Sequence, residues 1–336
     1  MTHRSRRRSI AIVTAFVAVL LVIGAFIVPT SGPSPHERLL PGIELDLRTA
    51  HTARGPVQYD LTGGSGPTLL TMHGGLGGAD QGRLFADWLR GDGFRVLSPS
   101  RPGYLGTPLD SGRTLEDQAD LLAALLDELA VKRVVLFAVS SGAPVAYTFA
   151  ARHPARVSAL VVVAGVSRAD PGAGNSSAVR RVFIDTVGQR IAQMTAAVSL
   201  SSVLSGTLDE TSTFTTAQKE QRVEEIMRDD TVRAFFEAMV RTTFPYRLRM
   251  PGTRNDAEQR RDMNLPFDRI TAPTLIVHGA LDGDVPFTDG AAAATRIGAA
   301  QHHWMPDEDH LGFWLGPGRV PAQDAVRTFL RQAVAR

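Results

Sequence analysis

The sequence predicts an α/β protein built on a doubly wound, mostly parallel sheet. Short, continuous apolar runs predict strands that are buried on both faces. Helix-compatible stretches separate these runs at a regular pitch, which is typical of parallel strands joined by crossover helices. The alternation stops near Val166 and resumes at Thr274, so residues 167–268 are predicted to form an inserted helical lid. The apolar runs lie at 68–72, 94–98, 134–139, 157–164 and 274–277.

Composition and charge exclude several classes of function. The hydrophobic fraction of 43% and the charged fraction of 21% are ordinary for a globular protein. The chain has no cysteine, which excludes disulfides, thiolate catalysis and cysteine-based metal sites. The net charge of +2 includes four arginines near the N-terminus, so the remaining body is weakly acidic. No basic stripe with interleaved aromatic residues is present, and we therefore expect no nucleic-acid partner.

The N-terminal residues 1–28 are predicted to be a signal anchor or a signal peptide. Residues 10–28 are almost entirely apolar and uncharged, and this length suffices for a transmembrane helix. The preceding arginines predict that the N-terminus stays in the cytoplasm. No A-x-A cleavage site follows, which favours an uncleaved signal anchor. We therefore expect a protein of the cell membrane with its main domain outside the cytoplasm, or a secreted one if the leader is cleaved.

The predicted body begins after a linker at 29–42 that is rich in proline, serine and glycine. Residues 43–166 form the first part of the predicted core, and residues 269–336 form the second. Residues 43–48 and 57–61 alternate apolar and polar side chains, which predicts two antiparallel strands at a sheet edge. Helices are predicted at 81–89, 114–129, 291–297 and 322–334 in the core, and at 191–204, 217–228 and 232–243 in the lid.

The first candidate site residue, Ser140, lies between the central strand and the following helix. The stretch reads Ala138-Val139-Ser140-Ser141-Gly142, which matches the G-x-S-x-G pattern of a nucleophile elbow except for the first glycine. Small residues two positions before and after the serine allow strand and helix to approach closely at a strained turn. Such a turn exposes the serine hydroxyl and directs the Ser141 backbone N–H at the group that the serine attacks.

A glycine-rich loop follows the first buried strand and reads HGGLGG at residues 73–78. It lacks both a following Lys-Ser/Thr pair and a G-x-G-x-x-G pattern, which argues against phosphate binding. We expect the N–H of Gly75 to pair with that of Ser141 as an oxyanion hole. His73 and Gly74 are expected to order this loop.

Two later loops supply a candidate acid and a candidate base. Asp282 follows the strand at 274–277, and His310 follows the last predicted strand. Asp284 competes with Asp282 for the role of the acid, but the spacing from the preceding His-Gly pair favours Asp282. Asp170 is a further candidate for this role. Asp309, beside His310, is interpreted as a solvated loop charge.

In this order, Ser140, Asp282 and His310 resemble the catalytic triad of the α/β-hydrolase fold family. The chain from about Val57 to Phe329 is similar to lidded members of that family, such as prolyl iminopeptidases and small esterases. The H-G-G-P-G motif of the iminopeptidases has leucine here in place of proline. The resemblance rests on the HGG loop at 73–75, Arg-Pro-Gly-Tyr at 101–104, Ser-Ser-Gly at 140–142, His-Gly at 278–279 with Asp282 and a Val-Pro at 285–286, and His310.

This resemblance implies a serine hydrolase acting on a carboxylic ester, lactone or small amide. Ser140 would attack the carbonyl carbon and form an acyl-enzyme. His310 would take the serine proton and later protonate the leaving group, while Asp282 would orient the imidazole. Activity is expected to fall below about pH 6.5, where the histidine base becomes protonated. A serine at the elbow argues against epoxide hydrolysis and dehalogenation, for which this fold uses aspartate.

Two alternatives stay open. The same triad could serve C–C bond hydrolysis, acyl transfer or perhydrolysis, and a membrane-tethered binding protein could retain the fold without catalysis. No cofactor is implied. No metal is expected either, because no carboxylate–histidine spacing indicates a metal site. The expected partners are a small-molecule ester or amide and, through the N-terminal helix, a membrane.

Overall fold

The fold is taken from a computed structural model, which describes residues 32–34, 36–173, 199–298 and 300–334. Its strands are β1 (Arg38–Leu40), β2 (Ile43–Glu44), β3 (Leu47–Thr52), β4 (Gly55–Thr62), β5 (Thr68–Met72), β6 (Arg95–Pro99), β7 (Val134–Val139), β8 (Val157–Val163), β9 (Thr274–Gly279) and β10 (Ala300–Met305). Its helices are α1 (Ala79–Ala86), α2 (Leu115–Glu128), α3 (Ala143–Arg152), α4 (Leu200–Thr211), α5 (Thr216–Arg228), α6 (Asp230–Arg241), α7 (Met250–Arg260), α8 (Phe287–Arg296), α9 (Gly312–Leu315) and α10 (Arg319–Val334).

Strands β3 to β10 form one eight-stranded sheet in the order β3-β4-β6-β5-β7-β8-β9-β10. Strand β4 pairs antiparallel with β3 and β6, and the remaining neighbours are parallel. The predicted mostly parallel sheet is therefore confirmed. The carboxyl ends of the parallel strands share one edge, where ligands bind in open α/β sheets. The loops that carry the candidate residues follow β5, β7, β9 and β10 at this edge.

The sheet is covered on both faces, and the central strand β7 divides its side chains between them. Val135, Phe137 and Val139 pack with α1, α10 and the lid, whereas Leu136 and Ala138 pack with α2, α3 and α8. All six residues of β7 are buried. Burial on both faces explains why the strand is a continuous apolar run rather than an alternating one.

Helices α4 to α7 lie between β8 and β9 in the chain and form the described part of the segment that the sequence predicts as a lid, the name kept for it below. Helix α5 begins after a capping box of Thr215 and Gln218. The apolar pattern locates α5 and α6 to within about two residues of their ends. Helix α7 is absent from the sequence-based assignment, because its sequence, MPGTRNDAEQR, has no apolar periodicity.

The N-terminal part of the body differs from the prediction. Residues 43–48 do not form one strand, since Ile43–Glu44 pairs with Arg38–Leu40 in a separate hairpin and the edge strand begins at Leu47. Between these strands Leu45 is buried in the core, and the Asp46 N–H donates a hydrogen bond to Asp60 Oδ1 (2.6 Å). The chain therefore turns between two pairing partners.

The predicted transmembrane segment at 10–28 lies outside the described residues. Within the described ranges, no helix combines the length and the apolar character needed to cross a bilayer.

Candidate active site

Ser140 lies at the sharp turn between β7 and α3. Its φ of 52° is in the left-handed region, which is strained for a residue with a side chain. Ala138 is fully buried opposite Met72 of β5, so alanine fits where the pattern has glycine. A Cβ at Gly142 would lie 2.4 Å from the Met72 carbonyl oxygen, so glycine is required there. Close packing on both sides of the turn therefore holds the serine in a strained backbone conformation.

The glycine loop at 73–78 lies directly against the two serines of the turn. A Cβ built on Gly74 would lie 3.3 Å from Ser140 Cβ, and one built on Gly75 would lie 3.6 Å from Ser141 Oγ. No acceptor within the described ranges takes up the backbone N–H of Gly75 or of Ser141. Backbone N–H groups beside a serine are the kind of donor that an oxyanion hole uses, so this geometry is compatible with the predicted pair.

His73 links this glycine loop to Arg101 through two hydrogen bonds. Its Nε2 accepts a hydrogen bond from the Arg101 backbone N–H (3.0 Å), so Nδ1 carries the proton and donates to the Gly74 carbonyl oxygen (2.8 Å). Burial and the positive charge of Arg101 hold the pKa of His73 well below its usual value. The ring is therefore neutral, and its tautomer is set by its two neighbours.

Asp282 and His310 form a buried pair, with 2.8 Å between Asp282 Oδ2 and His310 Nδ1. Asp282 Oδ1 accepts the backbone N–H groups of Asp284 (2.9 Å) and Val285 (2.8 Å). His278 Nε2 lies 3.3 Å from Asp282 Oδ2 and 2.9 Å from the Val285 carbonyl oxygen. These contacts hold the carboxylate in one orientation towards His310.

The pair shifts the pKa values of both members. Burial alone would lower the pKa of His310, but the charge of Asp282 and its hydrogen bond outweigh burial and raise the pKa to about 9. Burial alone would raise the pKa of Asp282, but attraction to His310 and the hydrogen bonds from His278 and His310 lower it to about 2. The carboxylate is therefore ionised at neutral pH and stabilises the imidazolium.

The second nitrogen of the imidazole, His310 Nε2, lies 3.6 Å from Asp284 Oδ2. The two acids that compete in the sequence thus contact the same ring, one at each nitrogen. No hydrogen bond joins Ser140 Oγ to His310 among those of the described residues. Such bonds are often long without substrate and shorten in the complex.

Two other acidic residues have different surroundings. The Asp170 carboxylate accepts the Gly172 N–H at 2.9 Å. The interpretation of Asp309 as a solvated loop charge is wrong: its residue is 3% exposed, and burial raises its pKa to about 6. The preceding residue, Glu308, is buried as well, with its side chain against Gly312, Gly316 and Gly318.

The adjacent histidines of the last strand lie away from the candidate site. His302 and His303 lie on the edge strand β10, where the His302 ring stacks on Trp304 with 4.4 Å between ring centroids. Across the described residues, no group of three or more histidine, aspartate or glutamate side chains has a geometry suited to a metal ion.

Comparison with known proteins adds the family to this geometry. A profile of the alpha/beta hydrolase fold matches residues 67–317, which is well over half of the chain. The chain belongs to the alpha/beta hydrolase fold family. An alpha/beta hydrolase fold protein from Nakamurella multipartita is 35% identical, with a TM-score of 0.79, and the match covers 85% of this chain and 99% of that one.

Several curated relatives of this alpha/beta hydrolase are named hydrolases, whereas a homoserine O-succinyltransferase from Xanthomonas campestris is 32% identical over 158 residues. A 2-hydroxy-6-oxononadienedioate/2-hydroxy-6-oxononatrienedioate hydrolase from Paraburkholderia phymatum is 26% identical over 77% of this chain and 85% of its own length. The uncharacterized hydrolase YcgS of Bacillus subtilis is 32% identical over 114 residues, 34% of this chain. The chain spans 39% to 42% of the length of the curated relatives with which it shares 32% identity. Together with the fold, these matches show that the protein is an enzyme.

The lid of this alpha/beta hydrolase reaches the site through charged side chains that sequence reasoning missed. Asp256, in α7, accepts a hydrogen bond from Ser141 Oγ (3.0 Å) and two from the Arg101 guanidinium (both 2.7 Å). The Arg-Pro-Gly-Tyr motif marks Arg101 in the sequence, but no local signal marks its partner. Three buried arginine–carboxylate pairs join lid and core: Arg222–Glu308, Arg249–Asp80 and Arg101–Asp256.

The lid also pairs with the acid loop through its backbone. The Thr211 carbonyl oxygen, at the end of α4, accepts the N–H groups of Gly283 (3.0 Å) and His310 (3.3 Å). Ser212 forms a β-bridge with Asp282. A Cβ at Gly283 would lie 2.7 Å from the Ser212 carbonyl carbon, so only glycine permits this approach.

Proposed function

We propose that this alpha/beta hydrolase is a serine hydrolase that cleaves a carboxylic ester, lactone or small amide through an acyl-enzyme on Ser140. The observation that carries the proposal is the buried Asp282–His310 pair at the sheet edge where Ser140 occupies its strained turn. The N–H groups of Gly75 and Ser141 add support, because they lie beside that serine and no acceptor within the described ranges takes them up.

In the proposed reaction, His310 Nε2 accepts the Ser140 hydroxyl proton while Oγ attacks the carbonyl carbon. The carbonyl electron pair moves to oxygen, and the resulting oxyanion accepts hydrogen bonds from the N–H groups of Gly75 and Ser141. His310 then gives its proton to the departing alcohol or amine, and the acyl group stays on Oγ. In the second half of the reaction, water gives a proton to His310 and attacks the acyl carbon, and the acid leaves as Ser140 Oγ regains its proton. Asp282 stays ionised throughout and stabilises the imidazolium.

The pH dependence should reflect the raised pKa of His310. The base must be neutral to accept a proton, so a higher pKa leaves less active enzyme at neutral pH. We expect kcat/KM to be half-maximal near pH 9, the raised pKa of His310, and to level off above it, whereas an ordinary histidine would give a half-maximum at about pH 6.5. An ester whose leaving group does not titrate in this range gives the profile, with Ser140→Ala as the blank. A plateau already reached at pH 6.5 would contradict a base flanked by two carboxylates.

A fluorophosphonate probe tests the proposed nucleophile directly. The wild-type chain should be labelled at saturating probe, and mass spectrometry of the peptides should locate the adduct on Ser140. Ser140→Ala should not be labelled, whereas Ser141→Ala, the matched neighbour, should still reach full labelling. Equal labelling of wild type and Ser140→Ala would mean that another serine reacts, and a folded but unlabelled wild type would favour a binding protein without catalysis.

C–C bond hydrolysis is the second candidate, because the relative from Paraburkholderia phymatum is a hydrolase of 2-hydroxy-6-oxononadienedioate and matches 85% of its length. C–C bond hydrolysis would use the same serine, so labelling by the probe does not distinguish the two candidate reactions. Turnover of simple esters by the labelled enzyme favours the first candidate. Labelling without ester turnover, combined with cleavage of a vinylogous diketone acid, favours the second.

A further inference from the structure

Lid helix α7 contacts both sides of the proposed oxyanion hole. Thr253 Oγ1 accepts a hydrogen bond from the backbone N–H of Leu76 (3.0 Å), the residue after Gly75. Three residues further along the helix, Asp256 Oδ2 accepts the hydrogen bond from Ser141 Oγ (3.0 Å). Residues three apart lie on the same face of a helix. One face of α7 therefore meets both backbone segments that carry the oxyanion donors.

The core holds the Asp256 carboxylate rigidly. Arg101 donates to each carboxylate oxygen at 2.7 Å, and the Tyr104 hydroxyl donates to Oδ2 at 2.6 Å. Burial and the charge of Asp256 raise the pKa of Tyr104, so the phenol keeps the proton that it donates. The Arg101 side chain is fully buried. A planar guanidinium paired through two bonds leaves a carboxylate little freedom to rotate.

The helix itself is seated by direct backbone contact. The Gly252 N–H donates to the Gly103 carbonyl oxygen (2.9 Å), and a Cβ at Gly252 would lie 2.2 Å from the Tyr104 ring. Gly103 has a φ of 82°, which glycine adopts without strain. The backbone of α7 therefore lies directly against this loop at Gly252, and a displacement of the helix would move Asp256 relative to Ser141.

Arg101 also supports the glycine loop. Its backbone N–H sets the tautomer of His73, and His73 in turn holds the Gly74 carbonyl oxygen. The Arg101–Asp256 pair is thus linked to Ser141 on one side and to the Gly74–Gly75 backbone on the other.

We propose that Asp256 is a positioning residue for the oxyanion hole: it orients Ser141 from the lid, so that the hole is complete only with α7 seated. This inference rests on the proposed function, since it concerns the donors of that reaction. The hole acts on charge that develops in the transition state. A donor displaced by a fraction of an ångström therefore lowers kcat and leaves substrate binding nearly unchanged.

The test compares Asp256→Asn and Ser141→Ala in the full-length enzyme. Loss of a whole oxyanion donor costs about 10²- to 10³-fold in kcat, and we expect a displaced donor to cost about 10- to 100-fold for Asp256→Asn, with KM within about threefold. Ser141→Ala keeps the Arg101–Asp256 pair and should lose about tenfold. If Asp256 acts through Ser141, the second substitution adds little in the double variant.

The rate is divided by the concentration of reactive serine, which is determined by titration with the fluorophosphonate. A smaller amount of folded protein is then not mistaken for a lower kcat. Asp229→Asn is the matched control, because Asp229 also joins the lid to the core through an arginine, Arg319 (3.0 Å), away from the site. We expect it to retain wild-type kcat, and the second-order rate of probe labelling should follow kcat in all variants.

The outcomes separate this inference from the proposed function. An unlabelled wild type would overturn the proposed function itself. A labelled wild type with Asp256→Asn reacting at the wild-type rate would overturn only the positioning role, as would a lower melting temperature with unchanged kcat per titrated serine. Should Asp256→Asn fail to fold, Ser141→Ala decides, since a wild-type kcat in that variant also contradicts the proposal.

Discussion

Replacement of His310 by glutamine is expected to lower kcat by about 10⁴- to 10⁶-fold, because it removes the imidazole that is proposed to take the Ser140 proton. His310 is held on one side by Asp282 at 2.8 Å, so its Nε2 is the nitrogen left for proton transfer. Glutamine retains a polar side chain of similar length but cannot accept and return a proton at neutral pH. The residual rate should come from the oxyanion donors and substrate binding alone.

The measurement is single-turnover acylation with an activated ester, in which chemistry is separated from product release. His302→Gln serves as the control, because His302 lies on the exposed edge strand β10 and stacks on Trp304 away from the site. That variant should acylate at the wild-type rate. A loss of less than about 100-fold in His310→Gln would be too small for the only general base and would contradict its assignment.

The second large effect is expected for Asp282→Asn, which should lower kcat by about 10⁴-fold. The backbone N–H groups of Asp284 and Val285 both donate to Asp282 Oδ1, so asparagine would place its carbonyl oxygen there. Its NH₂ group would then face His310 Nδ1, which must become an acceptor. The ring proton would move to Nε2, and the imidazole could no longer accept the serine proton.

Asp284→Asn is the paired variant, two residues away in the same loop. Asp284 contacts Nε2 at 3.6 Å and is one of the charges that raise the pKa of His310. Its loss should therefore move the rising limb of the kcat/KM profile to lower pH, with a change in the plateau of less than about tenfold. Full pH profiles of both variants distinguish the two acids. A 10⁴-fold loss in Asp284→Asn with a mild effect of Asp282→Asn would reverse their roles.

The sequence was sufficient to predict the sheet because its signals are local. The continuous apolar run before Ser140 and the small residues around it identify β7 and the turn without any knowledge of their neighbours. Asp282 and His310 each follow a later predicted strand, and their order after Ser140 resembles that of the α/β-hydrolase triad. Asp282 and His310 do lie within hydrogen-bond distance, because the parallel topology brings these ends to one edge.

Helix α7 and its contacts could not be predicted for a physical reason. The residues that α7 buries are Met250, Gly252 and Asn255, so its buried face has no repeating apolar side chains and no hydrophobic period. Its docking depends on charge pairing with Arg101, which lies 155 residues away in the chain. The burial of Asp309 could not be predicted either, because it depends on how its loop packs and not on the residue type.

Because three buried arginine–carboxylate pairs join lid and core, the lid of this enzyme should not be replaceable by the lid of a relative without loss of stability. A chimera that takes its lid from a relative with different residues would leave buried charges without partners on both sides of the junction. Removing one partner of a buried pair costs about 3–5 kcal/mol, and a whole domain is stable by only about 5–15 kcal/mol. Substrate range among related enzymes should therefore change through lid residues outside these three pairs. Exchange of a whole lid should succeed only when the paired arginines and carboxylates are transferred together.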